Sequence, residues 1–127
     1  MSWVSPTRYF TGKVSDEDLP GLYARAWAVI PSVKLEGFGL VTLESLAGGT
    51  PVVASAVGGP GEFLSARFPE LFPPSDVPAL ADGLARAAAG DGQLTNEECM
   101  AFAAEFSWNQ TAQRLLTIYQ KRQGAAA

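Results

Sequence analysis

Short apolar runs that stop at proline or glycine, each followed by a stretch of helical period, constrain this 127-residue chain more than any other feature. "RYFTG" (8 to 12), "WAVIPS" (27 to 32) and "TPVVAS" (50 to 55) are too brief for buried helices and are rich in aromatic or β-branched residues, as buried strands are. "ELFPP" (70 to 74) reads as a weaker, edge-like strand limited by its prolines. Helical segments lie between and after these runs. Ser15 with Asp18 makes a capping-box-like start for "SDEDLPGLYARA", in which Pro20 fits only near the beginning. Leu40, Leu43 and Ala47 recur at helical spacing, and Gly48-Gly49 supplies a left-handed stop. "VGGPGEFLSARF" (57 to 68) is a glycine turn leading into a short helix. Ser75 is the expected cap of "DVPALADGLARAAA", with Val77, Leu80, Leu84 and Ala88 along one face. Thr95 with Glu98, and Ser107 with Gln110, open two further helices. Strands alternating with helices predict an α/β domain with a parallel sheet of about four strands flanked by helices, whose ligands gather beyond the carboxyl ends of the strands.

Composition narrows the chemistry. The chain holds no histidine and one cysteine, Cys99, so an internal disulfide, a histidine-ligated zinc and a Ser-His pair are all excluded within it. Thirteen acids against nine bases leave a net charge of -4, the wrong sign for a partner held through phosphate neutralisation, so no nucleic acid is expected. Every apolar run falls short of the roughly 20 residues of a bilayer helix, and "MSWVSPTRYF" is unlike a signal peptide; no membrane span and a cytoplasmic home are the expectation. Asp16-Glu17-Asp18 has the look of a metal motif. Side chains two positions apart on a helix, however, diverge by about 200°, and acids at a helix start already suit its dipole. No metal is expected. Cys99 shares helical spacing with Phe102 and Phe106 and reads as core. Trp108, Leu115, Ile118 and Tyr119 form a stripe of the kind that is usually core.

The chemistry concentrates in "EGFGLVTLESLAGGTPVVAS", Glu36 to Ser55. Gly37 and Gly39 let the backbone approach a ligand closely where the chain turns into a helix. The first turn of that helix offers unpaired N–H groups and partial positive charge to an anion. Glu36 precedes the corner, while Glu44 lies about five residues into the helix, a rise of roughly 7 Å. Carboxylates held that far apart around an anion site suit a ligand with hydroxyls at both ends and phosphate between, a nucleoside diphosphate sugar, with Glu36 on the hexose and Glu44 on the ribose. By itself a glutamate pair at this spacing is ordinary in a chain with thirteen acids.

In order along the chain, "FTGKVSDEDLPGLYARA", "PSVKLEGFGLVTLESLAGGTPVVAS", "VGG", "FPPSDVPALADGLARA" and "FSW" resemble the carboxyl-terminal, donor-binding domain of the retaining glycosyltransferases of family four. The resemblance covers nearly the whole chain, 1–127, as a single partial domain, and implies the Rossmann-like half of a GT-B fold truncated at its N-terminus. It implies a nucleoside diphosphate sugar as donor substrate, no cofactor, and transfer of a hexose to an acceptor hydroxyl. It implies Glu36 at the transferred sugar as the catalytic position and Gly37, Phe38, Gly39 and Leu40 around sugar and diphosphate. Val41 and Thr42 join the phosphate contacts, Glu44 lies at the ribose, and Gly12, Lys13 and Val14 near the nucleobase. The chain departs from the family at Ala26-Trp27, where Ala-Asp is common, and at Gly58-Gly59-Pro60-Gly61-Glu62, where the family has Gly-Gly-x-Pro-Glu. The match starts near the domain's third strand, which implies a missing amino-terminal acceptor domain, a missing Arg and Lys clamp and no turnover by this chain alone. It also implies a gap in the sheet, closed by a shift of the first strand or by strand exchange in a homodimer. The final helix of the family reaches toward the amino-terminal domain, so part of the Trp108 to Tyr119 stripe is expected to be open. The alternatives are a non-catalytic nucleotide-sugar binding or interaction module, and a relative of the sugar-nucleotide epimerases, which work with acid-base residues not seen here.

Overall fold

Two prolines decide how the apolar runs meet. In a computed structural model, which describes residues 8–31, 36–64, 76–91 and 94–125, the segments around Val29 and Val52 lie parallel and join at one isolated bridge. The Val29 N–H donates to the Pro51 carbonyl (3.1 Å), and the Val53 N–H donates to the Val29 carbonyl (3.0 Å). Extending that bridge in one direction needs an N–H at residue 31, and in the other an N–H at residue 51. Both are proline, so neither of those two bonds can form and no regular ladder develops, although Ser55 takes part in a further bridge. A second parallel bridge joins Glu36 to Gly58. The expected parallel α/β sheet is therefore not formed: among the described residues there is no strand, only bridges. The run at 8–12 is exposed and pairs with nothing in a strand, and the run at 70–74 lies outside the described residues.

What the apolar runs do instead is fill the space between helices. Val52 and Ala54 belong to a buried cluster with Leu46, Leu64, Cys99 and Phe102, while Val53 faces the other way onto Ala87, Leu80 and Leu84. Alternate side chains of an extended segment point to opposite sides, so Val52 to Ala54 serves two layers of helices at once.

Six helices stand among the described residues: α1 (Leu19–Arg25), α2 (Leu40–Ala47), α3 (Gly59–Leu64), α4 (Val77–Ala89), α5 (Asn96–Ala104) and α6 (Trp108–Ala125). α2 packs chiefly on α5, and also on α1. Its end is a Schellman motif, in which Thr50 N–H reaches the Ser45 carbonyl (3.0 Å) and Gly49 N–H the Leu46 carbonyl (2.9 Å). Gly49 takes the left-handed conformation (φ 79°) that this stop requires; Gly48 stays right-handed. The buried residues of α2 are Thr42, Ser45 and Leu46, whereas Leu40 is 62% exposed and Ala47 is also exposed, so the helix is rotated from the expected face. Ser45 can go inside because its hydroxyl donates to the Thr50 carbonyl (2.9 Å).

Ser15 accepts from the Asp18 N–H (3.2 Å) and donates to the Asp18 carboxylate (2.7 Å), but α1 proper begins only at Leu19 after that turn. α4 is capped by Asp76, whose carboxylate accepts from the Ala79 N–H (2.9 Å); Ser75 lies outside the described residues. Gly83 and Ala87 are its buried positions, and Val77 and Ala88 are exposed. Cys99 is core as expected, fully buried beside Phe102. α6 differs more: Trp108 is 90% exposed, and Leu115, Ile118 and Tyr119 are exposed with it, so the whole stripe is open. Among the described residues no helix is long and apolar enough to cross a membrane.

The α5 start is a complete capping box. Thr95 Oγ1 accepts from the Glu98 N–H (3.2 Å), and the Glu98 carboxylate accepts from the Thr95 N–H (2.8 Å). Those bonds, the backbone one foremost, hold the Glu98 carboxyl below the usual carboxylate range. A lowered folded pKa means stability present above the ordinary carboxylate range and lost as pH falls through the folded value. Glu98→Gln is expected to unfold at lower urea than the parent at neutral pH and at equal urea in strong acid. A gap that persists unchanged in acid would show that the carboxylate does not supply the stabilisation.

Candidate functional site

The Glu36 to Leu40 corner is fixed from behind. Gly59 N–H donates to the Glu36 carbonyl (2.9 Å), so the glycines after the third apolar run lie against the corner backbone to backbone. Gly58 adopts φ 84°, and a Cβ there would meet the Glu36 carbonyl oxygen; one at Gly59 would meet the Phe38 carbonyl. Gly39 is buried at φ 95°, with Pro60 Cγ only 2.9 Å from where its Cβ would stand. The Phe38 ring, half exposed, packs on Phe63 (centroids 5.7 Å apart) and edge-on to Phe106 (6.3 Å). Aromatic pairs of this kind contribute about 0.5–1.5 kcal/mol each beyond their buried area. The corner is thus a backbone feature held by a glycine pair and an aromatic cluster.

From that corner α2 starts with Gly39 as its N-cap, a residue with no side chain to bond the first N–H groups. Leu40 and Val41 are exposed on the first turn. Thr42 is fully buried, and its hydroxyl has no hydrogen-bond partner among the described residues. Any contact of Thr42 with a ligand must therefore go through its main chain. Glu36 is half-buried, Gly37 exposed.

Glu44 is exposed and lies against α1. The Tyr23 hydroxyl donates to Glu44 Oε2 (3.0 Å), and both residues line a cleft of about 390 Å³ with Asp16, Leu19, Pro20, Ala47 and Gly48. Tyr23 is anchored at its other end, because its carbonyl accepts from the buried Thr50 hydroxyl (2.6 Å). Gly48 lets the helices approach: a Cβ there would stand 3.2 Å from Tyr23 Cβ. Burial first, then the hydrogen bond to Glu44 and its negative charge, push the Tyr23 phenol up to about 12. The phenol is accordingly a proton donor throughout the physiological range.

Gly12, Lys13 and Val14 lie elsewhere. Lys13 and Val14 line a separate cleft of about 500 Å³ with Ser15, Asp18, Gly21 and Arg25. Gly21 and Arg25 project from α1 about 200° from Leu19 and Tyr23, so the two clefts flank opposite sides of that helix. Gly12 is exposed in the left-handed conformation (φ 65°). Among the described residues no three His, Cys, Asp or Glu form a group able to hold a metal ion.

Two contributors escape sequence reading. Tyr23 is 21 residues from its partner, and nothing local marks it. Gly58 and Gly59 are visible only as a turn, whereas their place is under the corner.

A glycine corner feeding a helix with no side-chain cap, and on that helix an exposed acid lining an open cleft, make up the site. The chain belongs to the family "Glycosyl transferases group 1", whose pattern matches residues 5–116. It is 34% identical over 104 residues to a D-inositol 3-phosphate glycosyltransferase of Jonesia denitrificans, covering 80% of this chain and 24% of the relative. It is 43% identical over 100 residues to a protein of the same name from Mycobacterium marinum, covering 75% and 21%. With a mannosylfructose-phosphate synthase of Agrobacterium fabrum it shares 31% over 117 residues, covering 89% and 26%. The chain thus spans about a quarter of the length of the curated relatives it matches.

Proposed function

We propose that this chain is the nucleoside-diphosphate-sugar binding part of a retaining glycosyltransferase that moves a hexose to an acceptor hydroxyl. The observation that carries the reading is Glu44, an exposed carboxylate held by Tyr23 at the edge of an open cleft, one and a half turns into the helix that starts at Gly39. In this reading Glu44 accepts from the ribose hydroxyls. The backbone from Gly37 to Thr42 receives the sugar and diphosphate, with the first N–H groups of α2 toward the phosphate oxygens. Glu36, before the corner, faces the transferred sugar.

In the reaction the bond from the anomeric carbon to the diphosphate oxygen breaks, and a bond to the acceptor oxygen forms on the same face. The acceptor proton leaves with the departing diphosphate. Helix-end N–H groups aimed where that charge develops lower the barrier without reorganising. The names of the relatives support sugar transfer, in two cases by a D-inositol 3-phosphate glycosyltransferase.

The test is calorimetric titration of the purified chain with uridine and guanosine diphosphate sugars. One of the two series should saturate, and Glu44→Ala should weaken it by about tenfold, the scale of a lost hydrogen bond to a charged group. No saturable binding, or unchanged affinity in Glu44→Ala, overturns the proposal.

A further inference from the structure

We infer that Tyr23 is a positioning residue for Glu44: its hydroxyl holds one carboxylate oxygen so that the other stays turned to the hydroxyls of a nucleotide ribose. The inference rests on the ribose role proposed for Glu44. Glutamate on an exposed helix face has three side-chain torsions to order, and ordering them on binding costs affinity. The 3.0 Å bond from Tyr23 removes that freedom beforehand, and its donor is itself built in. The Tyr23 carbonyl is tied to Thr50, a buried residue at the end of α2, and the Tyr23 Cβ rests over Gly48, which admits it only for want of a side chain. The positioning group and the group positioned therefore ride on one frame, the α1–α2 contact. A tyrosine has two torsions against the three of glutamate, so it carries the frame to Glu44 with less slack. Among the described residues one hydrogen bond reaches the carboxylate, which leaves acceptor capacity for a vicinal diol.

The experiment is a double-mutant cycle on the full 127-residue chain, with binding of uridine and guanosine diphosphates measured for the parent, Tyr23→Phe, Glu44→Ala and the double variant. Each is repeated with the 2′,3′-dideoxy diphosphates. Tyr23→Phe should weaken the ribose-bearing nucleotide by about 3- to 10-fold and the dideoxy nucleotide not at all. It should add nothing in the Glu44→Ala background. A loss in Glu44→Ala with none in Tyr23→Phe, or an equal Tyr23→Phe loss with the dideoxy nucleotide, overturns the positioning role and leaves the Glu44 reading standing. An unchanged Glu44→Ala overturns both. Ultraviolet titration of the phenol supplies a ligand-free check that needs no Phe variant. It should fall from about 12 toward its ordinary value in Glu44→Ala, because removing the acceptor and its negative charge eases ionisation. No movement would mean the pair does not form in solution, and the role is lost.

Discussion

Gly58→Ala should cost about 3 kcal/mol or more and loosen the Glu36 to Leu40 corner in the same step. The backbone alone accounts for part of this, since an L-residue in the left-handed region costs roughly 1–2 kcal/mol and Gly58 stands at φ 84°. The remainder is steric. An added Cβ would meet the Glu36 carbonyl oxygen, with the Glu36 amide nitrogen at 3.1 Å, and main chain cannot rotate away as a side chain can. Relief requires moving the corner, which lengthens the bond from Gly59 N–H to the Glu36 carbonyl. Gly12→Ala is the matched control: it has the same left-handed backbone, φ 65°, with nothing within 4 Å of the new carbon. Urea denaturation followed by circular dichroism should place Gly58→Ala well below Gly12→Ala in midpoint. Equal midpoints would mean that the contact between the glycine pair and the corner does not exist in solution.

Leu46→Ala should be destabilising by about 2–5 kcal/mol, the range for truncating a buried leucine where the surroundings only partly collapse. Leu46 is wholly buried among Val52, Leu64, Cys99 and Phe102, so the missing atoms leave a cavity shared by α2, α3 and α5. Against a total stability of about 5–15 kcal/mol for an ordinary domain, this is a large part. Leu40→Ala, six residues earlier on the same helix, should stay within about 0.5 kcal/mol of the parent because Leu40 is mostly solvated. The pair decides which face of α2 is the core face. If Leu40→Ala proves the costlier of the two, the observed rotation of the helix is wrong.

That rotation shows where sequence reading ends. The limits of α2 are legible, because Gly-Phe-Gly and Gly-Gly punctuate it, and the helix runs from Leu40 to Ala47 between them. Its buried face is not. Apolar periodicity selects Leu40, Leu43 and Ala47; Leu43 does pack against the core, but Leu40 and Ala47 are exposed, and Thr42 and Ser45 are taken inside with Leu46. Ser45 escapes the usual penalty through the Thr50 carbonyl, a partner that exists only once the Schellman turn has formed. The α5 capping box is legible because its two partners lie three residues apart, within reach of a local rule. The sheet is misread for the opposite reason. Hydrophobic runs of strand length report burial on both sides, which Val52 to Ala54 do achieve, but pairing depends on which amide faces which carbonyl, and Pro31 and Pro51 stand at the two rungs needed. In α6 the apolar stripe is real in sequence, yet nothing among the described residues covers it.

The site divides along the same line. The Glu36 to Glu44 spacing, the glycines of the corner and the start of its helix are properties of consecutive residues, and short-range sterics and hydrogen bonding determine them. The support of the corner by Gly58, the burial of the Thr42 side chain and the capture of Glu44 by Tyr23 join residues 21 or more positions apart or depend on what packs around them. Such pairings are set by how the helices approach, through the bare surfaces of Gly48 and Gly39 and the Thr50 hydroxyl beneath Tyr23. Local chemistry wrote the elements and offered the ligand groups; packing between distant elements chose which of those groups were exposed, which were held, and by what.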